Sequence, residues 1–286
     1  MKAIALVTAR ETGALDDDME PLLAALRSEG ATGEPAVWDD PSVDWSRYSL
    51  AVLRSTWDYS RRRDEFLAWA ADVERTVRLA NPANILRWNT DKHYLGGLAA
   101  AGIPVVPTCF IEPRQTIRFP FEGEFVVKPA VGAGSMDVAR FPEPGLAAEE
   151  HVQRIHRSGR SAMIQPYLNR VDQAGETALV YFAGEFSHAI RKGPMLGPSR
   201  EVMGGLFLKE DIRPRTASEA ERALGQRAVQ ASPEPCLYAR IDVIPGADGS
   251  PVVLEFEATE PSLFFAHSAG SATRCARAIL DWANRR

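Results

Sequence analysis

Tyr238-Ala-Arg-Ile-Asp-Val-Ile244, the turn Pro245-Gly-Ala-Asp-Gly-Ser-Pro251, and Val252-Val-Leu-Glu-Phe-Glu257 follow one another near the end of this chain. Read with the two-residue period of a strand, they make a hairpin with two chemically different faces. Ile241, Val243, Val252, Leu254 and Phe256 form an apolar side, and Arg240, Asp242, Glu255 and Glu257 form the other. The connection is rich in turn-forming residues. If the register brings Glu255 and Glu257 beside Asp242, three carboxylates converge, and like charges that close call for a cation. An oxygen-only ligand set suits Mg²⁺ held beside phosphates. A solvated sheet face is the plain alternative.

The remaining sequence narrows the choice. A chain of 286 residues can hold two or three packed subdomains. Its net charge of −5 offers no broad basic surface for nucleic acid or an anionic membrane. Cys109, Cys236 and Cys275 show no paired spacing, which argues against a disulfide framework or a thiolate zinc site and fits a cytoplasmic protein. No apolar run approaches the ~20 residues of a membrane span. The opening Met1-Lys-Ala-Ile-Ala-Leu-Val reads as a first strand, not as a secretory signal. The expected partner is a small molecule, with self-association left open.

Residues 1–88 read as an α/β unit with a mostly parallel sheet. Strands are expected at Ala3 to Thr8, Ala36 to Trp38 and Leu50 to Leu53, with a helix capped by Asp18 and stopped at Gly30. Phe66, Leu67, Ala70, Val73 and Val77 mark a second helix. Residues 81–89 read as a linker, followed by a helix from Asp91 to Gly102. Residues 89–168 form a central subdomain mixing strands with one helix. Residues 169–286 are strand-rich and end in a helix.

Several motifs carry chemistry. Phe125-Val-Val-Lys-Pro129 puts Lys128 at the end of an apolar strand, where its ammonium can reach a phosphate. Gly132, Gly134 and Ser135 follow in a loop whose backbone can approach an anion closely. The spacing is neither a dinucleotide fingerprint nor a P-loop. Lys92 lies in the expected first turn of a helix, against the dipole, which suggests another task for it. In Gln165-Pro-Tyr-Leu168, Pro166 removes a ladder donor and leaves backbone groups for a nucleobase. Asp172 and Glu176 stand within reach of a ribose. Arg191, and Arg200 with Gly204-Gly205, are candidate anion clamps. In the N-terminal unit, Arg54-Ser55-Thr56-Trp57-Asp58-Tyr59 follows a strand, where such sheets present ligands. Glu260 and Ser262 lie just past the acidic strand.

This ordered set resembles the ATP-grasp superfamily: strand lysine, Gly-rich loop, Gln-Pro-Tyr hinge, then Asp and Glu-x-Glu. The resemblance runs from the N-terminal unit to Pro261. It implies an N-terminal parallel α/β domain, a central lid subdomain and a C-terminal antiparallel-sheet subdomain, with ATP and Mg²⁺ between the last two. Carried over, Lys92 and Lys128 match the two phosphate-side lysines, and Gln165, Pro166, Tyr167 and Leu168 match the adenine hinge. Asp242, Glu255 and Glu257 match the metal ligands, with Glu257 where many members have asparagine. Arg191 matches a basic residue near the γ-phosphate. Within the superfamily the chain is similar to the D-cycloserine-forming O-ureidoserine cyclo-ligase group. The segments that carry this likeness are Leu53 to Tyr59, Gly184 to Lys192 and Leu254 to Pro261. The implied activity is ATP-dependent ring closure of a small amino acid derivative through an acyl phosphate. An intermolecular ligase joining two amino acids, and an ATP-binding protein without catalysis, are the competing expectations.

Overall fold

Strands β1 (Ala3–Thr8), β2 (Gly33–Val37), β3 (Tyr48–Ser55) and β4 (Leu79–Ala80) form a parallel sheet ordered β2-β1-β3-β4. The computed structural model describes residues 2–11, 15–134, 136–194, 202–203, 207–208 and 211–285. Both faces of this sheet are covered, so its central strands are nearly continuous apolar runs. Ile4, Leu6, Leu50 and Val52 face the helices Met19–Ser28 and Ser271–Asn284. Ala5, Val7, Ala51 and Leu53 face the helix Arg63–Val73.

A second sheet contains β5 (Cys109–Ile111), β6 (Phe125–Pro129), β7 (Ala139–Phe141) and β8 (Ala162–Pro166), antiparallel and ordered β5-β8-β6-β7. The helix Leu146–Arg157 covers one face through Val152 and Ile155. The third sheet draws on β9 (Glu176–Phe182), β10 (Glu185–Lys192), β13 (Ile212–Arg215), β14 (Tyr238–Pro245) and β15 (Pro251–Glu257), ordered β13-β10-β9-β14-β15. Between these in sequence, β11 (Val202–Met203) pairs with β12 (Phe207–Leu208). Helix Glu219–Gln230, opened by a Ser218/Glu221 capping box, packs beneath the third sheet. Among the described residues no helix is long and apolar enough to cross a membrane.

Four local expectations are corrected. The linker at 81–89 contains a helix, Ala83–Asn89, because Ile85, Leu86 and Asn89 fall on one face and are buried. The next helix is shorter than expected, Tyr94–Ala100; the Asp91 carboxylate accepts from the His93 N–H at 3.2 Å and holds a turn ahead of it. Pro166, read as freeing backbone groups from a ladder, is instead the last residue of the inner strand β8 and is still in register with Phe125, so the ladder ends at it and not before it. Asp18 precedes the helix Met19–Ser28, but its side chain makes no cap bond there.

Candidate active site

The hairpin register decides whether the acids meet. Asp242 pairs with Glu255 and Arg240 with Glu257, which puts all four on the same face. A bulge between Asp242 and Val243 then shifts the alternation. Val253 takes the core position expected for its neighbours, and Leu254 turns into the cleft above the sheet. The bulge thus adds an apolar wall beside the acids.

The cleft lies between the second and third sheets, with Trp57 and Tyr59 of the N-terminal unit closing one side. Lys192 donates to Asp242 Oδ2 at 2.7 Å and also pairs with Glu176. Arg240 forks onto Asp242, Nε to Oδ1 and Nη2 to Oδ2 at 2.8 Å each, and also pairs with Glu257. Lys92 lies 2.9 Å from Glu255 Oε1 and donates to the Gly132 carbonyl at 3.0 Å. Lys128 lines the cleft from the end of β6 and has no ion pair within 4.0 Å among the described residues.

This crowding divides the acids. Burial opposes ionisation of Asp242, but Arg240 and Lys192 outweigh it and hold its carboxyl well below the usual range. Burial is likewise outweighed at Glu255, by Lys92 and then Lys128, so its pKa is lowered. Glu257 behaves differently: burial, with Glu255 and Asp242 adding to it, pushes it up to about 7 despite Arg240. Burial raises Glu176 to about 8 against the pull of Lys192. Burial and then Glu257 raise Glu260 well above the carboxylate range. The Lys128 ammonium is lowered, chiefly by burial. Two acids thus stay charged while three resist ionisation, the mark of a site short of positive charge.

Among the described residues no three acid, histidine or cysteine side chains are grouped closely enough to enclose an ion unaided. The donors at Asp242, Glu255 and Glu257 are nevertheless all hard oxygens. They fit a cation of the Mg²⁺ type, which keeps water and phosphate oxygens in its shell and needs few protein ligands.

The other expected residues separate into two groups. Gln165, Pro166, Tyr167 and Leu168 line the cleft, with Gln165 Nε2 donating to Thr108 Oγ1 at 2.9 Å. Gly132, Gly134, Glu176, Glu260 and Ser262 line it as well, and Gly134 has the positive φ of 63° that favours glycine. Asp172 lies outside the lining and receives the Tyr167 hydroxyl, beneath an Arg140 guanidinium stacked 3.5 Å from the Tyr167 ring. Ser135, Arg200, Gly204 and Gly205 lie outside the described residues.

Arg191 is a correction. It points to the face opposite Lys192, with Nε donating to the Ala174 carbonyl at 2.8 Å and Nη2 to that of Gln173 at 3.2 Å. It lies over Gly175, where a Cβ would come within 2.7 Å of Arg191 Nε. Alternation along β10 sends only one of two consecutive cations into the cleft.

The segment 54–59 is also corrected in part. Trp57 and Tyr59 line the cleft. Arg54, 1% exposed, instead faces Asp16 and Asp18 at 3.4 and 3.5 Å. Ser55 Oγ shares a 2.7 Å hydrogen bond with Thr8 Oγ1. Thr56 is fully buried, and Asp58 accepts from Trp38 Nε1 at 3.0 Å. These four are enclosed by the surrounding core and turn away from the cleft; Arg54, Ser55 and Asp58 bond internally, while the buried Thr56 hydroxyl has no hydrogen-bond partner among the described residues.

Lys192, Arg240, Asn89 and Phe264 are site residues that the motif reading missed. Arg240 already stood on the polar face of the hairpin, and its spacing from Asp242 was the available signal. Asn89 is held by bonds to the Phe256 carbonyl and the Ala258 N–H, both 2.7 Å, which no local pattern announces.

Comparison with known proteins agrees with this geometry. Residues 4–81 match the family model of the N-terminal domain of D-cycloserine synthetase DcsG. The cycloserine biosynthesis protein DcsG of Streptomyces lavendulae is 42% identical, over 98% of this chain and 99% of that protein. The crystal structure of D-cycloserine synthetase DcsG superposes with a TM-score of 0.89 at 39% identity, covering 99% of this chain and all of that one. D-alanine–D-alanine ligase from Bacillus anthracis complexed with ATP shares the fold at 14% identity, TM-score 0.70, covering 99% of this chain and 97% of that one. The chain therefore belongs to the DcsG family of ATP-grasp ligases and is an ATP-dependent ligase acting on a small molecule.

Proposed function

We propose that this enzyme closes O-ureido-D-serine into the five-membered ring of D-cycloserine, with ATP and Mg²⁺, in the cytoplasm. The observation that carries the reading is the charge pattern of the cleft. Lys128, without an ion pair among the described residues, faces a floor where Glu257 and Glu260 resist ionisation. A triphosphate with its metal ion complements both halves of that pattern.

In this reading the adenine lies against Gln165 to Leu168 and the apolar wall of Leu254, with the phosphates toward Lys92, Lys128 and Lys192. Asp242, Glu255 and Glu257 would hold Mg²⁺, which neutralises phosphate charge when bound. The substrate carboxylate attacks the γ-phosphorus, forming an acyl phosphate and releasing ADP. The oxygen-bonded nitrogen then attacks the acyl carbon, the ring closes and phosphate leaves. Ring closure leaves the carbamoyl group on the ring nitrogen and makes the product lighter than the substrate by one water. Hydrolysis of that N–carbonyl bond by one water then gives D-cycloserine, the carbamoyl group leaving as carbamate, that is, carbon dioxide and ammonia. The chain's part is positioning and charge neutralisation, with the Gly132–Gly134 loop excluding water from the acyl phosphate.

The test is phosphate release with ATP and Mg²⁺ over a panel of amino acids, O-ureido-D-serine included, singly and in pairs, with products weighed by mass spectrometry. Release with O-ureido-D-serine alone, giving either ring mass, is the expected result. Release that requires a second amine would make the enzyme an intermolecular ligase and overturn ring closure.

A further inference from the structure

Residues 259–265 run from the acidic strand β15 along the side of the cleft, bending at Thr259 and Glu260 and ending at a left-handed Phe264 (φ 54°) that leads into the 3-10 turn Phe265–His267. Glu260, Ser262 and Phe264 line the cleft, while Thr259 and Leu263, at 2% and 0% exposed, point away. This is the alternation of a strand, yet the segment belongs to no sheet. Buried backbone groups must find partners, and here side chains supply them. The carbonyls of five consecutive residues each accept from a different side chain. Thr259 takes Tyr238 Oη at 2.9 Å, Glu260 takes Trp57 Nε1 at 3.0 Å, and Pro261 takes Arg54 Nη1 at 3.3 Å. Ser262 takes Arg240 Nη1 at 3.1 Å, and Leu263 takes His188 Nε2 at 2.8 Å. On the donor side, the N–H groups of Leu263 and Phe264 reach Asp18 Oδ2 at 2.6 and 3.1 Å, and that of Phe265 reaches Asp18 Oδ1 at 2.8 Å. Asp18 in turn faces Arg54, so one buried ion pair holds the segment by one of its carbonyls and three of its amides.

We infer that residues 259–265 are a rigid substrate-side wall, and that Arg54 and Asp18 are positioning residues that set Glu260 and Ser262 toward the substrate. The inference rests on the reading that the amino acid substrate binds beside Glu260 and Ser262. Neither Arg54 nor Asp18 lines the cleft, so both act through the wall alone. The N-terminal unit thus contributes a frame for the substrate side, while the nucleotide side rests on β6, β8 and β15. A displacement of the wall should weaken substrate binding and leave ATP binding in place, and misplacement by about 1 Å can cost on the order of 100-fold.

The experiment measures KM for O-ureido-D-serine and for ATP separately, with kcat and melting temperature, in Asp18→Asn, Arg54→Met, Glu260→Gln and Ser262→Ala. The first of these replaces an acceptor-only carboxylate with an amide, whose own hydrogens would oppose the three backbone N–H groups. A KM for O-ureido-D-serine raised at least about tenfold in Asp18→Asn and Arg54→Met, with the ATP KM within about twofold, is the expected result. Both KM values unchanged, or both raised together, overturns the inference. If these two variants do not fold, His188→Phe, which removes the donor to Leu263 together with the local bond between Nδ1 and Ser187 Oγ, is judged by the same asymmetry. Unchanged substrate KM in both Glu260→Gln and Ser262→Ala would remove the underlying substrate reading. A change there with none in Asp18→Asn would leave that reading intact and sink the positioning role alone.

Discussion

Two buried ionic clusters flank the wall at 259–265, and they are in opposite electrostatic condition. In the first, Arg54 meets Asp16 and Asp18; burial works against its charge, but the two aspartates outweigh it and raise its pKa. In the second, Lys192 and Arg240 hold Asp242, yet Glu176, Glu257 and Glu260 remain hard to ionise. The first cluster lies outside the cleft, with Arg54 and Asp18 bonded to the backbone of the wall. The second opens into the cleft and is short of positive charge. Burial by itself therefore does not mark a ligand site; the unmet charge does.

The largest way to break this contrast is Asp242→Asn. It leaves Lys192 and Arg240 without their shared anion, and a broken buried pair costs about 3–5 kcal/mol. Denaturant unfolding should show that loss together with no measurable phosphate release. Lys192→Met is next: if this cation, and not Arg191, serves the cleft, turnover should drop by about 100-fold, the scale of a lost electrostatic contact in a transition state. Glu255→Gln should cost turnover on the same scale with a smaller change in melting temperature, and full turnover in it would remove the metal-site argument.

A pH experiment sharpens the comparison. Glu257 is pushed up to about 7, so a divalent cation must displace its proton below that pH. The Mg²⁺ concentration for half-maximal phosphate release should be about tenfold higher at pH 6 than at pH 8. A flat Mg²⁺ dependence across that range would exclude Glu257 as a ligand. The smallest expected effect belongs to Arg191→Ala. It loses two hydrogen bonds to the turn at Gln173 and Ala174, about 1 kcal/mol each, and turnover should stay within about threefold. A large fall in kcat there, with the fold intact, would return Arg191 to the chemistry.

The sequence by itself determined the strands and helices of the N-terminal unit, the two-faced hairpin and the identity of its acids, because alternation and turn chemistry act over a few residues. It also determined the strand lysine Lys128, the loop at Gly132 and Gly134, and the Gln165–Leu168 hinge, each legible as a local break in an apolar run. Tertiary structure alone decided which of two adjacent cations, Arg191 or Lys192, faces the cleft, since the space over Gly175 takes the former. It also decided that Arg54 and Asp18, read as a substrate ligand and a helix cap, join each other and hold a wall more than 200 residues away in sequence. Such partners are chosen by which side chains are enclosed together once the sheets pack, where an unpaired charge costs most, and that enclosure is written in no single stretch of the chain.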